Sequence, residues 1–413
     1  MTIQQRKKDH VALTLKEDVT YQKRTGFEQY DFNHNALPEL DLEEVDPSAA
    51  LLGRRFDFPL FISSMTGGYT EGGAINQMIA SFCQAHHLPF GVGSQRIMLE
   101  RASERASFSV VRKHAPDAFI AANIGGAQLI DNFGSEQLDH LIDTIRADAV
   151  IIHLNPLQEL VQPEGDRRFR GIQEGIARLV ESTPLPVIVK ETGAGISGEV
   201  ASRLLALGVR AIDIAGAGGT SWSKVENLRR GRAPEKSPEE DPESIEASQP
   251  SHPLSVSAFD DWGIPTAECI RQIAPLKETS DLQIIASGGI RSPFDIAKSL
   301  ALGADFAATA HPIITALGRG GRDELERLYS SWHQQFTTLM LLLGCRQTTD
   351  MKPSDRRRGC PSDFVISLPH GSRRFRIGEQ RASRMSKMPA QLCRGSQTGS
   401  KTKLQDINKR TDH

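Results

Sequence analysis

The chain has 413 residues, 38% of them hydrophobic, with 35 glycines and a formal net charge of −2. That length holds one large barrel or two ordinary domains, and the composition suits a soluble α/β enzyme. No run approaches the roughly 18 apolar residues of a membrane span, and the polar start MTIQQRKKDH lacks the apolar centre of an export signal.

A cytoplasmic protein without a membrane partner is therefore expected. Five cysteines at 83, 269, 345, 360 and 393 are odd in number, widely spaced and without a CxxC pair, which argues against a disulfide framework or a zinc site. The charge is uneven: residues 346–413 hold 16 Lys+Arg against 6 Asp+Glu, and the remainder is acidic.

Residues 1–57 are rich in charged and turn-forming types and are expected to fold over the mouth of the domain that begins after them. From residue 58 to 314 short apolar strands alternate with helical patterns, the mark of a parallel sheet. Eight strands are expected, at Pro59–Ser63, Pro89–Gly93, Phe119–Asn123, Ala149–Ile152, Val187–Lys190, Ala211–Ile214, Gln283–Ala286 and Phe306–Thr309. Helical spacing falls between them, as in Gly73–Ala85, Glu136–Arg146 and Gly198–Leu207. Eight such units over about 260 residues match a TIM (β/α)8 barrel, and the GxGxxG turn of a Rossmann sheet is absent. The barrel is assigned to residues 58–345. Within it, residues 231–253 are rich in Pro, Glu and Ser and read as a disordered insertion. The tail 346–413 reads as basic and disordered. Without aromatic interleaving no nucleic-acid partner is expected for it.

The stretch His153–Glu159, HLNPLQE, leaves the fourth strand with an imidazole, two carboxamides and a carboxylate. Active sites of parallel α/β proteins form at that end of the strands. A capping loop explains one His or Asn, but four such groups in seven residues indicate a site. The last two exits, Ser287-Gly288-Gly289-Ile290-Arg291 and Ala310-His311-Pro312, suit a phosphate cradle. Lys190 ends the fifth strand, either as a rim lysine paired with Glu191 or as a charge beside a flavin pyrimidine. Ser64, Met65, Thr66, Ser94 and Asn123 stand at exits that reach the same ring. Arg6-Lys7-Lys8-Asp9-His10 reads blandly as a solvated charge run; cations near a diphosphate are the competing reading, with Arg96 a further candidate. Glu159 is the best-placed carboxylate for a divalent ion bridging phosphate oxygens.

Taken together, RKKDH (6–10), SSMTGG (63–68), GVGSQR (91–96), ANIGGAQ (122–128), HLNPLQE (153–159), VKETGAGIS (189–197), AGAGGTSW (215–222), WGIPT (262–266) and SGGIR (287–291) resemble the type 2, flavin-dependent isopentenyl-diphosphate isomerases. HLNPLQE with GVGSQR is specific, whereas SGGIR is shared by many FMN barrels. The resemblance spans roughly residues 5 to 345. It implies interconversion of isopentenyl and dimethylallyl diphosphate with FMN, Mg²⁺ and a reductant, commonly NADPH, in a homo-oligomer of four or eight copies. It implies Arg6, Lys7, Ser94, Gln95, Arg96, Asn155 and Gln158 on the substrate and Glu159 on Mg²⁺. FMN would meet Ser64, Met65, Thr66, Ser94, Asn123, Lys190, Thr220, Gly289, Ile290, Arg291, Ala310 and His311. Gln158, Lys190 and His153 would serve catalysis, with the reduced flavin exchanging the proton because no strong side-chain acid is at hand. Residue 215 is alanine where the family often has a serine on the flavin, a loss of about 1 kcal/mol. The rival readings are an FMN oxidoreductase of the hydroxy-acid oxidase or dihydroorotate dehydrogenase type, with His153 as base, and a noncatalytic barrel whose tail binds polyanions.

Overall fold

The computed structural model describes residues 3–130, 133–231, 256–352 and 366–367. All eight expected strands form: β1 Leu60–Ile62, β2 Phe90–Gly91, β3 Ile120–Gly125, β4 Ala149–Leu154, β5 Val187–Glu191, β6 Ala211–Asp213, β7 Gln283–Ala286 and β8 Phe306–Thr309. Neighbours in sequence are neighbours in the sheet, all parallel, and β8 pairs back onto β1 through Ala307 and Leu60. The result is a closed TIM barrel. Helices at Thr70–Ala85, Ser135–Ile145 and Gly198–Ala206 fall where the spacing of apolar residues puts them. Ser197 and Ser292 start two of the outer helices by accepting the N–H groups of Val200 and Asp295, both at 3.3 Å.

The two-residue period of each strand divides the core into two populations. Leu60, Ile62, Val150, Ile152, Val187 and Val189 face outward and pack with the helices. Phe61, Ala121, Ile151, Ile188, Ala211 and Ile285 face the barrel axis. Extending the inward row one step places Ser63, Asn123, His153, Lys190, Asp213 and Ser287 at the mouth. The same parity that fills the barrel thus aims the polar set. Burying each of the large inward side chains stabilises the barrel by about 2 kcal/mol.

The opposite end is plugged by a hairpin, Ala49–Leu51 with Arg54–Phe56. Phe56 packs edge-on against Phe119 and Phe306 at centroid distances of 5.8 and 5.6 Å. Residues 3–57 therefore serve both ends of the barrel. Only the earlier part, led by the helix Ile3–Lys16, reaches the mouth, because the hairpin alone carries the apolar face that the other end needs. Leu13 and Val19 fasten that earlier part to Val225 and Trp222.

The closing helical run His311–Leu342 is broken at Gly320 and Gly321. Folded chain continues beyond residue 345, since Met351 is buried and Thr348 donates to the Ser48 carbonyl at 2.7 Å. Ile366–Ser367 pairs antiparallel with Asp31–Phe32. The rest of the tail, and the 231–253 insertion apart from Gly231, lie outside the described residues. Among the described residues, no helix is long and apolar enough to cross a membrane.

Candidate active site

A cavity of about 1800 Å³, measured with its open mouth, lies at the C-terminal ends of the strands. Its first wall is main chain. The loops after β6 and β7 press together so closely that a Cβ on Gly288 would lie 2.0 Å from the Gly216 carbonyl oxygen. Gly288 and Gly289 also hold φ values of 96° and 75°, which side chains rarely adopt. Helices begin at Pro293, past the β7 loop, and at His311, past the end of β8, so two helix N-termini adjoin the wall. Gly289, Ile290, Arg291, Ala310, His311 and Thr220 all line it. Ala215 does so as well, with a φ of 38°.

Across from the glycines, Ser64, Met65 and Thr66 leave β1 and line the cavity. Thr66 donates to the Tyr69 hydroxyl at 3.0 Å. The Ser64 hydroxyl is buried without a hydrogen-bond partner among the described residues, which is costly unless something in the cavity supplies one. The Lys190 ammonium also faces inward and donates to the Glu191 carbonyl at 2.6 Å. The Glu191 carboxylate is turned away from the cavity: one oxygen accepts the N–H groups of Thr192, Gly193, Ala194 and Gly195 at 2.5–3.2 Å. Burial raises the pKa of Glu191 despite those bonds, and burial likewise raises that of Asp213, which accepts from the Ser287 hydroxyl.

The second wall is made of long side chains. Pro156 opens a short helix, Pro156–Val161, and Asn155 just before it stands on the same face as Gln158 and Glu159. Glu159 accepts from Asn155 Nδ2 at 2.8 Å and from the Asp166 N–H at 2.7 Å, which fixes both carboxylate oxygens. His153 donates through Nδ1 to the Asn123 carboxamide oxygen at 2.8 Å, and Asn123 is itself anchored to the Val92 carbonyl. Burial, with Lys190 and Lys7 nearby, lowers the His153 pKa to about 3, so the imidazole is neutral. The N-terminal helix adds Arg6, Lys7 and His10. Lys7 donates to the carbonyls of Gly67 and Ser94 at 2.7 and 3.0 Å, and burial beside Arg6 lowers its pKa to about 7. Arg96 completes the group of cations on this wall.

Every residue expected at the site lines the cavity except Gln95, which requires correction. Its side chain is fully buried, donates to the Leu141 carbonyl at 3.1 Å and accepts the Asn123 N–H at 3.0 Å. Gln95 therefore splices β2 to β3, while its neighbours Ser94 and Arg96 face the cavity. Sequence reading also passed over a buried network behind the wall. Glu226, fully buried, meets His10 Nε2 at 2.8 Å and Arg229 Nε at 2.7 Å, and Arg229 continues to Glu164 at 2.9 Å. With its carboxamide turned to suit both neighbours, Gln162 donates to Glu226 at 3.2 Å and accepts from Arg6 at 2.6 Å. Burial pushes the Glu226 carboxyl up, but His10 and Arg229 outweigh it and the net shift is downward. Arg229 lies one turn from Glu226, but His10, Gln162 and Glu164 lie some 60 to 220 positions from their partners, so only the fold completes the network; the Glu226–Arg229 spacing is the one local cue.

Comparison with known proteins agrees with this geometry. The FMN-dependent dehydrogenase family model matches residues 166–358. The isopentenyl-diphosphate delta-isomerase of Pelodictyon phaeoclathratiforme is 42% identical over 356 residues, covering 84% of this chain and 95% of that protein. The enzyme of the same name from Nostoc sp. is 42% identical over 355 residues, covering 85% and 95%. Among solved structures, flavocytochrome b2 with benzoylformate superposes with a TM-score of 0.60 at 16% identity, covering 94% of this chain and 90% of that one. A mandelate oxidase superposes at 0.52 and 17%, covering 79% and 86%. The structural likeness establishes the barrel. The sequence likeness goes further, since it holds at 42% identity over most of both chains: the chain belongs to the isopentenyl-diphosphate delta-isomerases.

Proposed function

We propose that this protein interconverts isopentenyl and dimethylallyl diphosphate, using reduced FMN as the acid/base group and Mg²⁺ on the diphosphate. The observation that carries the reading is the pairing, in one cavity, of a glycine-built wall with a wall of cations around a single oriented carboxylate. FMN fits the first wall: the partnerless Ser64 hydroxyl, the inward Lys190 and the close-packed glycines suit a flat polar ring with a phosphate. Mg²⁺ fits the second, because it is held by one or two carboxylates plus phosphate oxygens and water, and Glu159 is fixed through both oxygens at the cavity edge.

Moving the double bond requires a proton delivered to one carbon and another removed. Reduced FMN, when bound, would supply that exchange. The chain's own groups fit placement better than proton transfer. His153 is neutral and its Nδ1 is committed to Asn123. Glu191 is committed to its own loop, and Asp213 is buried and accepts from the Ser287 hydroxyl. Arg6, Lys7 and Arg96 would bind the diphosphate, Asn155 would orient Glu159, and Gln158 would stand by the olefin. Lys190 would favour the anionic form of the reduced ring. Catalysis would then come from fixing proton and alkene in reach of each other.

NADPH as the reductant, a homo-oligomer of four or eight copies and a cytoplasmic setting belong to the same proposal. The buried free thiols of Cys83, Cys269 and Cys345 agree with a reducing compartment. The test is an anaerobic assay of protein with dithionite-reduced FMN, Mg²⁺ and isopentenyl diphosphate. Dimethylallyl diphosphate should form, and flavin-free protein should form none; equal rates with and without flavin would refute the proposal.

A further inference from the structure

We infer that Asp166 is a positioning residue for the anion-binding wall, holding Arg96 and Glu159 to one loop so that a diphosphate meets both in register. The inference rests on the proposed function and concerns a residue that does not itself line the cavity.

Three groups that do line it converge on Asp166. One carboxylate oxygen accepts from Arg96 Nη1 at 3.4 Å and from Gln128 Nε2 at 3.1 Å. The backbone N–H of the same residue donates to Glu159 at 2.7 Å. Arg96 comes from the exit of β2, Gln128 from that of β3 and Glu159 from that of β4, so Asp166 bridges three successive strand exits. Its loop is held in place. A Cβ on Gly165 would lie 2.0 Å from the Glu159 carbonyl oxygen, so only glycine allows this approach. Arg167 then donates to the carbonyls of Glu159, Leu160 and Gln162, closing the short helix against the loop.

The geometry leaves Arg96 with one free edge. Glu100 takes its Nε at 2.9 Å and Asp166 takes Nη1, which leaves Nη2 as the remaining corner of the fork. Arg96 is a long side chain, 40% exposed, on the rim of the cavity. Without the second anchor it keeps only the Glu100 contact within its own helix and regains rotamer freedom, which binding must then remove. A half-exposed ion pair of this length contributes little to stability, so its consequence is expected in anion affinity and not in the fold.

The experiment uses FMN-loaded protein with Mg²⁺ and measures inorganic diphosphate binding by calorimetry. D166N keeps the backbone bond to Glu159 and removes the negative charge that Arg96 faces. Its dissociation constant should rise five- to tenfold, KM for isopentenyl diphosphate should rise in step, and kcat should stay within twofold. In an R96A background, adding D166N should cost nothing more, because the group it positions is gone. D166S should behave as D166N does. Unchanged affinity in D166N, or full additivity with R96A, would overturn the inference while leaving the isomerase reading intact. Loss of flavin from both D166N and D166S would also overturn it, making the residue architectural. If the unaltered protein binds no diphosphate at all, the proposed function itself fails, and the inference with it.

Discussion

Where β6, β7 and β8 end, main chain faces the cavity, and the glycines there have no space for a side chain. Where β2 and β4 end, under the N-terminal helix, long side chains face it and are held by pairs of hydrogen bonds. The first wall is defined by shape, so a single added methyl group is a collision. The second is defined by charge, so it should respond in graded fashion to pH, salt and conservative substitution. One wall suits a cofactor that stays; the other suits an anion that comes and goes.

The sharpest break of that contrast is expected from Gly288→Ala. Its Cβ would meet Gly216 at 2.0 Å in a backbone with φ of 96°. The strain is on the order of 3 kcal/mol, and flavin content should fall at least about a hundredfold (that strain as an affinity ratio), read from the visible absorbance of the purified protein. On the other wall, Glu159→Gln should lower Mg²⁺-dependent turnover at least about a hundredfold, since it neutralises the one carboxylate among the described cavity-lining residues. Flavin absorbance should stay as before. A fully active variant would remove Glu159 from the metal.

A moderate effect is expected from pH. The Lys7 pKa stands near 7 in the free protein, so above that value a diphosphate must bring a proton to the amine as it binds. Affinity for inorganic diphosphate should fall by up to about tenfold per pH unit above 7. Lys7→Arg should flatten that slope. Stability runs the other way: the unfolded lysine keeps its proton up to about 10.5 and the native one does not, so this group makes the fold more stable as pH rises through that window. A thermal melt series from pH 7 to 9, compared between the two forms, reads the sign. The smallest effect is expected from Ala215→Ser, which adds a hydroxyl to the main-chain wall and should tighten FMN by only a few fold, about 1 kcal/mol; fluorescence titration of flavin-stripped protein measures it.

The barrel was legible because each strand is a short apolar run that exits into glycine or polar residues, and inward parity fixes what those exits aim at. Lys190, His153 and Asn123 are cases in point: each stands two residues past a buried inward neighbour. Gln95 shows the limit of that parity. Its motif, GVGSQR, sits at the right exit, but the turn into the helix Arg96–Glu100 rotates alternate side chains to opposite sides, and the buried one serves the strands. Residues 1–57 read in sequence as a cover for the mouth; the hairpin at the other end is not legible there, because its strands are three residues each and Arg54 and Arg55 are exposed. Glu226 and Asp166 were invisible for a different reason. An arginine one turn from Glu226, or next to Asp166, does not by itself distinguish a carboxylate that is solvated from one that ties distant loops together.

The measurement that bears most directly on the account is the ratio of NADPH consumed to product formed under anaerobic conditions, with FMN, Mg²⁺ and isopentenyl diphosphate supplied. The account predicts many turnovers to dimethylallyl diphosphate for each NADPH oxidised, since the reductant only prepares the flavin. One NADPH per product would contradict it and make the protein an FMN oxidoreductase on the same barrel.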